Sequence, residues 1–439
     1  MQLRNLIQLT ASVGAIGLLD RIVAVGLGII FARWLGPEEF GTYAFVVTAI
    51  ALLCIPAKLG IPELLTRDIA ASRGGAEPLA LMRSILKGFA IVGIASLAIV
   101  AVGQIILQYV PDTPISKLMK IGIWMVIPSA FFEVAAGIVR GLGRTIAFQI
   151  YGSVLLSGTT LIIGASMMLL LDAYTARIAI ETRFASFTLL FMMCCVHLLL
   201  IIRHLPAVQA GRVMNTGEIL TTGSRFMFNT VINMALMRVD LLLLGILATE
   251  KAVGLYRVAA EGGLLVAFGY TAVTTVLAPE YARIHTSGDR EQLQKTVRHA
   301  TWLIMLIGSL IAVPLIFGSH LVIELVFGSS YSSASLALSI IAAGYLISFL
   351  FGDPIYILNM TGHQDRVTVL VAISLVVSLV LSSFLIPPLG GTGAAIGTSV
   401  ALIFYRYLAS RAVYKALGIN CAVFGKVPTF NSKPDGQFL

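Results

Sequence analysis

Runs of about 20 apolar residues, parted by short polar corners, recur along almost the whole chain, and a lipid-spanning helix needs about that length. Bounded by charges, Pro and Gly, they predict twelve helices at roughly 8–33, 40–62, 84–109, 117–139, 146–171, 180–202, 219–247, 253–278, 300–327, 333–358, 366–386 and 392–414. Little is left for a soluble domain. The first run carries Asp20-Arg21 near its middle and has no small-residue cleavage site before the Trp34-Leu35-Gly36-Pro37 corner, so it reads as a retained helix rather than a signal peptide.

Composition agrees with this pattern. Of the 439 residues, 58% are hydrophobic and 12% charged, with a mean hydropathy of +0.95; soluble domains carry about 25% charged residues. With the N-terminus inside, nineteen Lys and Arg fall in cytoplasmic segments and six in external ones, which predicts both termini on the cytoplasmic side. This asymmetry accounts for the net charge of +9, and no nucleic-acid partner is implied. The four cysteines, Cys54, Cys194, Cys195 and Cys421, show no CxxC spacing and read as packing residues.

The corner "LGPEEFGTYAFV", residues 35–46, returns as "ATEKAVGLYRVA", residues 248–259, pairing Gly41 with Gly254 and Tyr43 with Tyr256 at an offset of 213. The same offset pairs Gly75 with Gly288 in the following loops, and an offset of 219 pairs Gly143 with Gly362. The chain therefore reads as an N-terminal six-helix lobe (1–210), a C-terminal six-helix lobe (211–420) and a polar cytoplasmic tail (421–439). Six is even, so both lobes start on the same side. Parallel repeats related by an axis along the membrane normal belong to transporters. Gly41 and Gly254 are expected at the handover between the two helices of each hairpin.

The stretch "ARWLGPEEFGTYAFVVTAIALLCIPAKLGIPELLTRDIA", residues 32–70, resembles the opening signature of the polysaccharide biosynthesis/O-antigen flippase (Wzx-like) family of the multidrug/oligosaccharidyl-lipid/polysaccharide (MOP) superfamily. The loops "RGLGRT" (140–145) and "APEYARIHTSGDREQLQK" (278–295) are similar to that family's as well. The resemblance implies an all-α polytopic fold, two six-helix lobes around a central cavity, in a bacterial inner membrane. It implies a flippase moving a polyprenyl-pyrophosphate-linked oligosaccharide to the outer leaflet by alternating access. Its partners would be the lipid-linked glycan, membrane lipid, and the glycan polymerase and glycosyltransferases of the same pathway.

A charge in the bilayer centre costs about 2.5–3.5 kcal/mol on insertion scales, so each one marks a partner or a watery surface. At about 100° per residue, Arg225, Asn229, Asn233 and Asp240 lie on one face of the seventh helix, with Arg238 opposite. The substrate-binding candidates are Arg21, Lys58, Arg225, Asn229, Asn233 and Arg257; Arg in particular forks onto phosphate oxygens. The ion-coupling candidates are Asp20, Asp240, Glu261 and Asp353, exchanging H+ or Na+. Arg257 and Glu261, one turn apart, also read as a simple pair, and Lys58 as a side chain snorkelling to the interface. Glu133 and His320-Glu324 are weaker candidates.

No GxxxxGK[ST] loop appears, so ATP hydrolysis is not expected, and neither are a metal or another cofactor. "GGTGAAIG", residues 390–397, reads as close helix packing. A MATE-type drug or cation antiporter is the alternative, though its substrate would favour carboxylates over this Arg set. A membrane glycosyltransferase, ligase or polymerase fits worse, because the longest external loop, near 172–180, is too short for a catalytic surface.

Overall fold

The structure, a computed structural model, describes residues 3–71, 78–203 and 216–424. Every long element among them is helical, with no strand. Nine helices are long and apolar enough to cross a membrane among the described residues, and the chain is a multi-pass membrane protein. Two further helices, Thr216–Leu247 and Gly391–Leu417, hold 32 and 27 residues. The chain divides into two compact units, Met1–Arg238 and Val239–Leu439.

In the first unit, α1 (Leu3–Lys58) is two helices joined end to end at Gly36 (φ 73°, ψ 172°). That backbone is open to glycine almost alone, and Pro37 restarts the helix with its φ already set. The corner then serves a second purpose: Glu39 accepts a 2.6 Å hydrogen bond from the Ala176 N–H at the start of α8 (Ala176–Arg203). Trp34 packs edge-on against Tyr174 beside it. After Lys58 the chain turns through left-handed Leu59 and Gly60 into α2 (Ile61–Ala71). Gly137 and Gly141 of α5 (Val126–Gly141) let the α2 backbone approach closely, and Thr66 donates to the Gly137 carbonyl at 2.8 Å.

The remaining helices of this unit are α3 (Pro78–Tyr109), α4 (Pro114–Gly122), α6 (Thr145–Gln149) and α7 (Leu156–Leu171). Thr113 and Ser116 close a reciprocal cap on α4. A single turn of π-helix, Ile150–Leu155, joins α6 to α7.

Helix α9 (Thr216–Leu247) runs across the division between the units. In the second unit α10 (Glu250–Ser287) is capped by Thr249 and ends at left-handed Gly288; α11 (Arg290–Phe317) is capped by Asp289. Two predicted single runs are broken here. The 300–327 run splits at Gly318, which leaves helical geometry (φ −105°, ψ 13°), into α11 and α12 (Ser319–Phe327). The 333–358 run splits into α13 (Ser335–Phe349) and α14 (Pro354–Met360), because Gly352 takes φ 72° and Pro354 can only start a helix. Helices α15 (Gln364–Leu389) and α16 (Gly391–Leu417) complete the unit. Gly393 sits against the Leu385 carbonyl and Gly397 against Ser382, as the reading of "GGTGAAIG" as a packing surface anticipates.

The repeat register persists in the fold, with one correction. The handover falls at Gly36 and, 213 residues on, at Thr249, not at Gly41 and Gly254. Gly41 and Gly254 are buried inside the helix that follows, where the helical backbone itself does not need glycine. Their companions Tyr43 and Tyr256 are both buried, at 8% and 1% exposure. Gly143 and Gly362, the pair at the longer offset, take φ 87° and 81°. Gly75 lies outside the described residues.

The chain beyond α16 does not leave the second unit at once. Gln294 exchanges two 2.8 Å hydrogen bonds with the Asn420 backbone, Thr301 donates to the Cys421 carbonyl, and Val423 donates to the Leu350 carbonyl. Ile419, Cys421 and Val423 are buried with it.

Candidate functional site

Charged residues in apolar helices are accommodated here in three different ways. In the first unit, Arg21 on α1 is exposed and Asp20 half-buried; neither makes an ion pair or hydrogen bond among the described residues. Lys58, at the end of the same element, is buried and donates to Glu133 on α5. Its charge is thus met inside the unit, and the interface-snorkelling alternative does not describe it. Arg225, Asn229 and Asn233 belong to α9, but their side chains lie outside the described residues.

In the second unit Asp240 is a hub. It accepts from the Tyr256 hydroxyl and, at 3.1 Å, from the Thr398 hydroxyl of α16, while its other oxygen takes the Leu241 N–H at 2.8 Å. Buried polar groups cost free energy unless so paired. Arg257 and Glu261 of α10 form the one-turn ion pair that their spacing allows. His320 and Glu324, 3.6 Å apart, are another one-turn pair, on the exposed side of α12.

Asp353 has the most enclosed charge. It is 1% exposed and accepts a 2.7 Å hydrogen bond from Tyr270 of α10. Arg406 of α16, 4% exposed, lies over the Tyr270 ring at 3.9 Å from its centroid and donates to the Gly352 carbonyl at 3.0 Å. Arg406 is one of the nineteen Lys and Arg that the charge distribution assigns to the cytoplasmic side. The signal that could have found it is local: "IFYRYLA" surrounds it with apolar and aromatic residues on every side. Tyr256, Thr398 and Tyr270 gave no comparable signal, since a Tyr or Thr in an apolar helix is common.

The ten candidates therefore form no single described constellation. Arg21 and Asp20 are unpaired among the described residues, Lys58 and Arg257 are held by carboxylates, Asp240 by hydroxyls, and Asp353 by Tyr270 next to Arg406. No group of three or more His, Cys, Asp or Glu suited to a metal occurs among the described residues. Outside the membrane spans, Lys120 holds the Asp112 carboxyl below its usual range through a 3.0 Å hydrogen bond.

A family model described as "Polysaccharide biosynthesis protein" matches residues 30–336. No curated protein sequence matches the chain. Solved structures match in fold. An inward-facing multidrug resistance MATE family transporter of the MOP superfamily shares 14% identity, covering 91% of this chain and 95% of its own, with a TM-score of 0.72. The lipid II flippase MurJ, inward closed, shares 14% identity over 91% of this chain and 87% of its own, with a TM-score of 0.67. A MOP superfamily transporter from Pyrococcus furiosus shares 16% identity over 94% and 96%, with a TM-score of 0.62. With most of its length matched by that model and its helices arranged as in those transporters, the chain belongs to the polysaccharide biosynthesis protein family and has the MOP-superfamily fold.

Proposed function

We propose that the protein is a flippase that carries a polyprenyl-pyrophosphate-linked oligosaccharide, of the O-antigen or capsule type, from the cytoplasmic to the outer leaflet of the bacterial inner membrane. The observation that carries this reading is the family match over residues 30–336. The fold shared with the lipid II flippase supports it, as does Arg21, a cation in an apolar helix with no carboxylate held to it among the described residues. Arg21 and Arg225 engage the pyrophosphate, because a guanidinium donates paired hydrogen bonds to phosphate oxygens. Asn229 and Asn233, on the same face of α9, meet the glycan. Lys58 and Arg257, each already bound to a carboxylate, contribute by exchanging that partner for phosphate.

Alternate opening of the protein to the two sides moves the head group while the lipid tail stays in the bilayer. Acidic groups, Asp20, Asp240, Glu261 and Asp353, couple this to H+ or Na+. Glycan polymerase and glycosyltransferases of the same membrane supply and consume the substrate.

The test is export in cells lacking the chromosomal copy. Arg21→Ala and Arg225→Ala abolish surface glycan at normal protein levels, and the Lys variants are intermediate because Lys keeps the charge and loses the fork. Normal export by both Ala variants would overturn the mechanism. The second reading, a MATE-type drug or cation antiporter, rests on the 0.72 TM-score to a multidrug transporter. Efflux of cationic dyes without any effect on glycan export would favour it.

A further inference from the structure

The second unit encloses charge in a place that phosphate recognition does not use. Asp353 sits in the break between α13 and α14, with Oδ1 held by the Tyr270 hydroxyl and Oδ2 unpartnered among the described residues. Arg406 spreads its guanidinium over the rings of Tyr270 and Phe349, at 3.9 and 5.2 Å from their centroids, and its Nε is unpartnered too. The fully buried Tyr281 hydroxyl is a third such atom, close enough to feel the Asp353 charge. Three unsatisfied polar atoms in one buried cluster are unusual, since nine in ten or more such groups are paired. Arg406 meets a carbonyl and two ring faces rather than the carboxylate, so the negative charge is offset by the Tyr270 hydroxyl, by the Tyr356 backbone N–H at the start of α14 and by the guanidinium from a distance, not by an ion pair.

Two small cations can settle such a carboxylate. A metal ion needs a cage of several oxygens, and no second carboxylate faces this one. The titratable groups around the pair are Tyr270 and Tyr281 of α10, Tyr345 of α13, Tyr356 of α14, Tyr405 and Arg406 of α16, and Cys421 after it. From α11 comes Thr301, which does not titrate. A guanidinium in that ring repels any metal. A proton needs one lone pair, and Oδ2 has it. We infer that Asp353 is a proton-binding site inside the second unit, with Arg406 as its positioning residue, so that the ion exchanged there is H+ and not Na+.

The step is a simple protonation, in which COO⁻ and H+ give COOH. It leaves the Arg406 charge uncompensated in an apolar surround, so protonation and displacement of Arg406 go together. The segment bearing Asp353 is pinned for such a linkage. A Cβ on Gly352 would fall 2.4 Å from the Cys421 carbonyl oxygen and 2.6 Å from Thr301 Oγ1, and Val423 donates to the Leu350 carbonyl at 2.9 Å. The link to transport rests on the flippase reading; the protonation does not.

Infrared difference spectra of the full chain in lipid nanodiscs, recorded between pH values without substrate, read the site directly. A carboxylic-acid C=O band titrates in the wild type and is lost in Asp353→Asn, which is close in size and folds. Arg406→Gln moves its midpoint up by about one pH unit or more, because an adjacent cation lowers a carboxyl's pKa. If that variant does not accumulate, Tyr270→Phe keeps the ring and removes the hydroxyl, and also moves the midpoint up. NaCl in place of choline chloride leaves the wild-type melting temperature unchanged. An unaltered band in Asp353→Asn, an unmoved midpoint in the accumulating positioning variant, or Na+ stabilisation that Asp353→Asn removes would overturn the inference. In proteoliposomes loaded with lipid-linked glycan, a pH gradient drives flipping by the wild type and not by Asp353→Asn. Titration in nanodiscs with no glycan movement by the wild type would count against the flippase reading and leave the proton site standing.

Discussion

The Lys58 ammonium at the end of α1 donates to the Glu133 carboxylate of α5, 75 residues further along the chain. The Lys58 side chain is 10% exposed and that of Glu133 40%, so the pair is buried at the cation and open at the anion. Removing one partner leaves the other without a counter-charge, whereas removing both does not. Lys58→Met is expected to lower stability by about 1–3 kcal/mol, and Lys58→Met/Glu133→Leu to recover most of it. Thermal unfolding in detergent measures both. The double variant is expected to export less glycan at normal protein level, because no cation is left there to exchange for phosphate; unchanged export would confine Lys58 to its pairing with Glu133.

Asp240 is held by two hydroxyls, and they are not equal. Tyr256 is fully enclosed, so Tyr256→Phe removes a donor that no solvent replaces and costs about 1–2 kcal/mol, read as a lower melting temperature. Asp240→Asn keeps the shape and an acceptor oxygen but removes the charge. It is expected to accumulate normally and to lose gradient-driven export while retaining substrate binding.

Gly36 and Gly60 both need a positive φ, for different total cost. A Cβ on Gly36 meets open space, so Gly36→Ala carries the backbone penalty alone, about 1–3 kcal/mol. A Cβ on Gly60 would fall 2.2 Å from the Gly223 carbonyl oxygen, so Gly60→Ala adds a backbone clash. Size-exclusion profiles of a fluorescent fusion should show reduced monodisperse protein for Gly36→Ala and far less for Gly60→Ala. Equal yields would mean that the α2 turn yields to a methyl group.

Topology is read by labelling single cysteines in a chain whose four native thiols are replaced. Probes at Asp112 and Lys251, both exposed, are expected to react with an impermeant maleimide added to intact spheroplasts, and one at Arg290 only after permeabilisation. The opposite pattern would reverse the orientation drawn from the Lys and Arg distribution.

The sequence by itself determined the class, an all-helical multi-pass membrane protein. Apolar length is a property of a segment alone, and Gly143 and Gly362 share left-handed backbones because φ is a local variable that glycine permits. It also placed Arg257 and Glu261 together, since one helical turn fixes that distance. Where a helix breaks was less legible: Gly36, not Gly41, takes the corner, and Gly318 and Gly352 divide runs whose hydropathy is continuous. What only the tertiary structure decided is which charge meets which partner. Thr398 reaches Asp240 across 158 residues, and Arg406, placed by sequence at a cytoplasmic end, is roofed over Tyr270 beside Asp353. Helical periodicity says which face a residue occupies; the neighbour on that face is set by packing of helices distant in sequence, and burial of a charge depends on that neighbour.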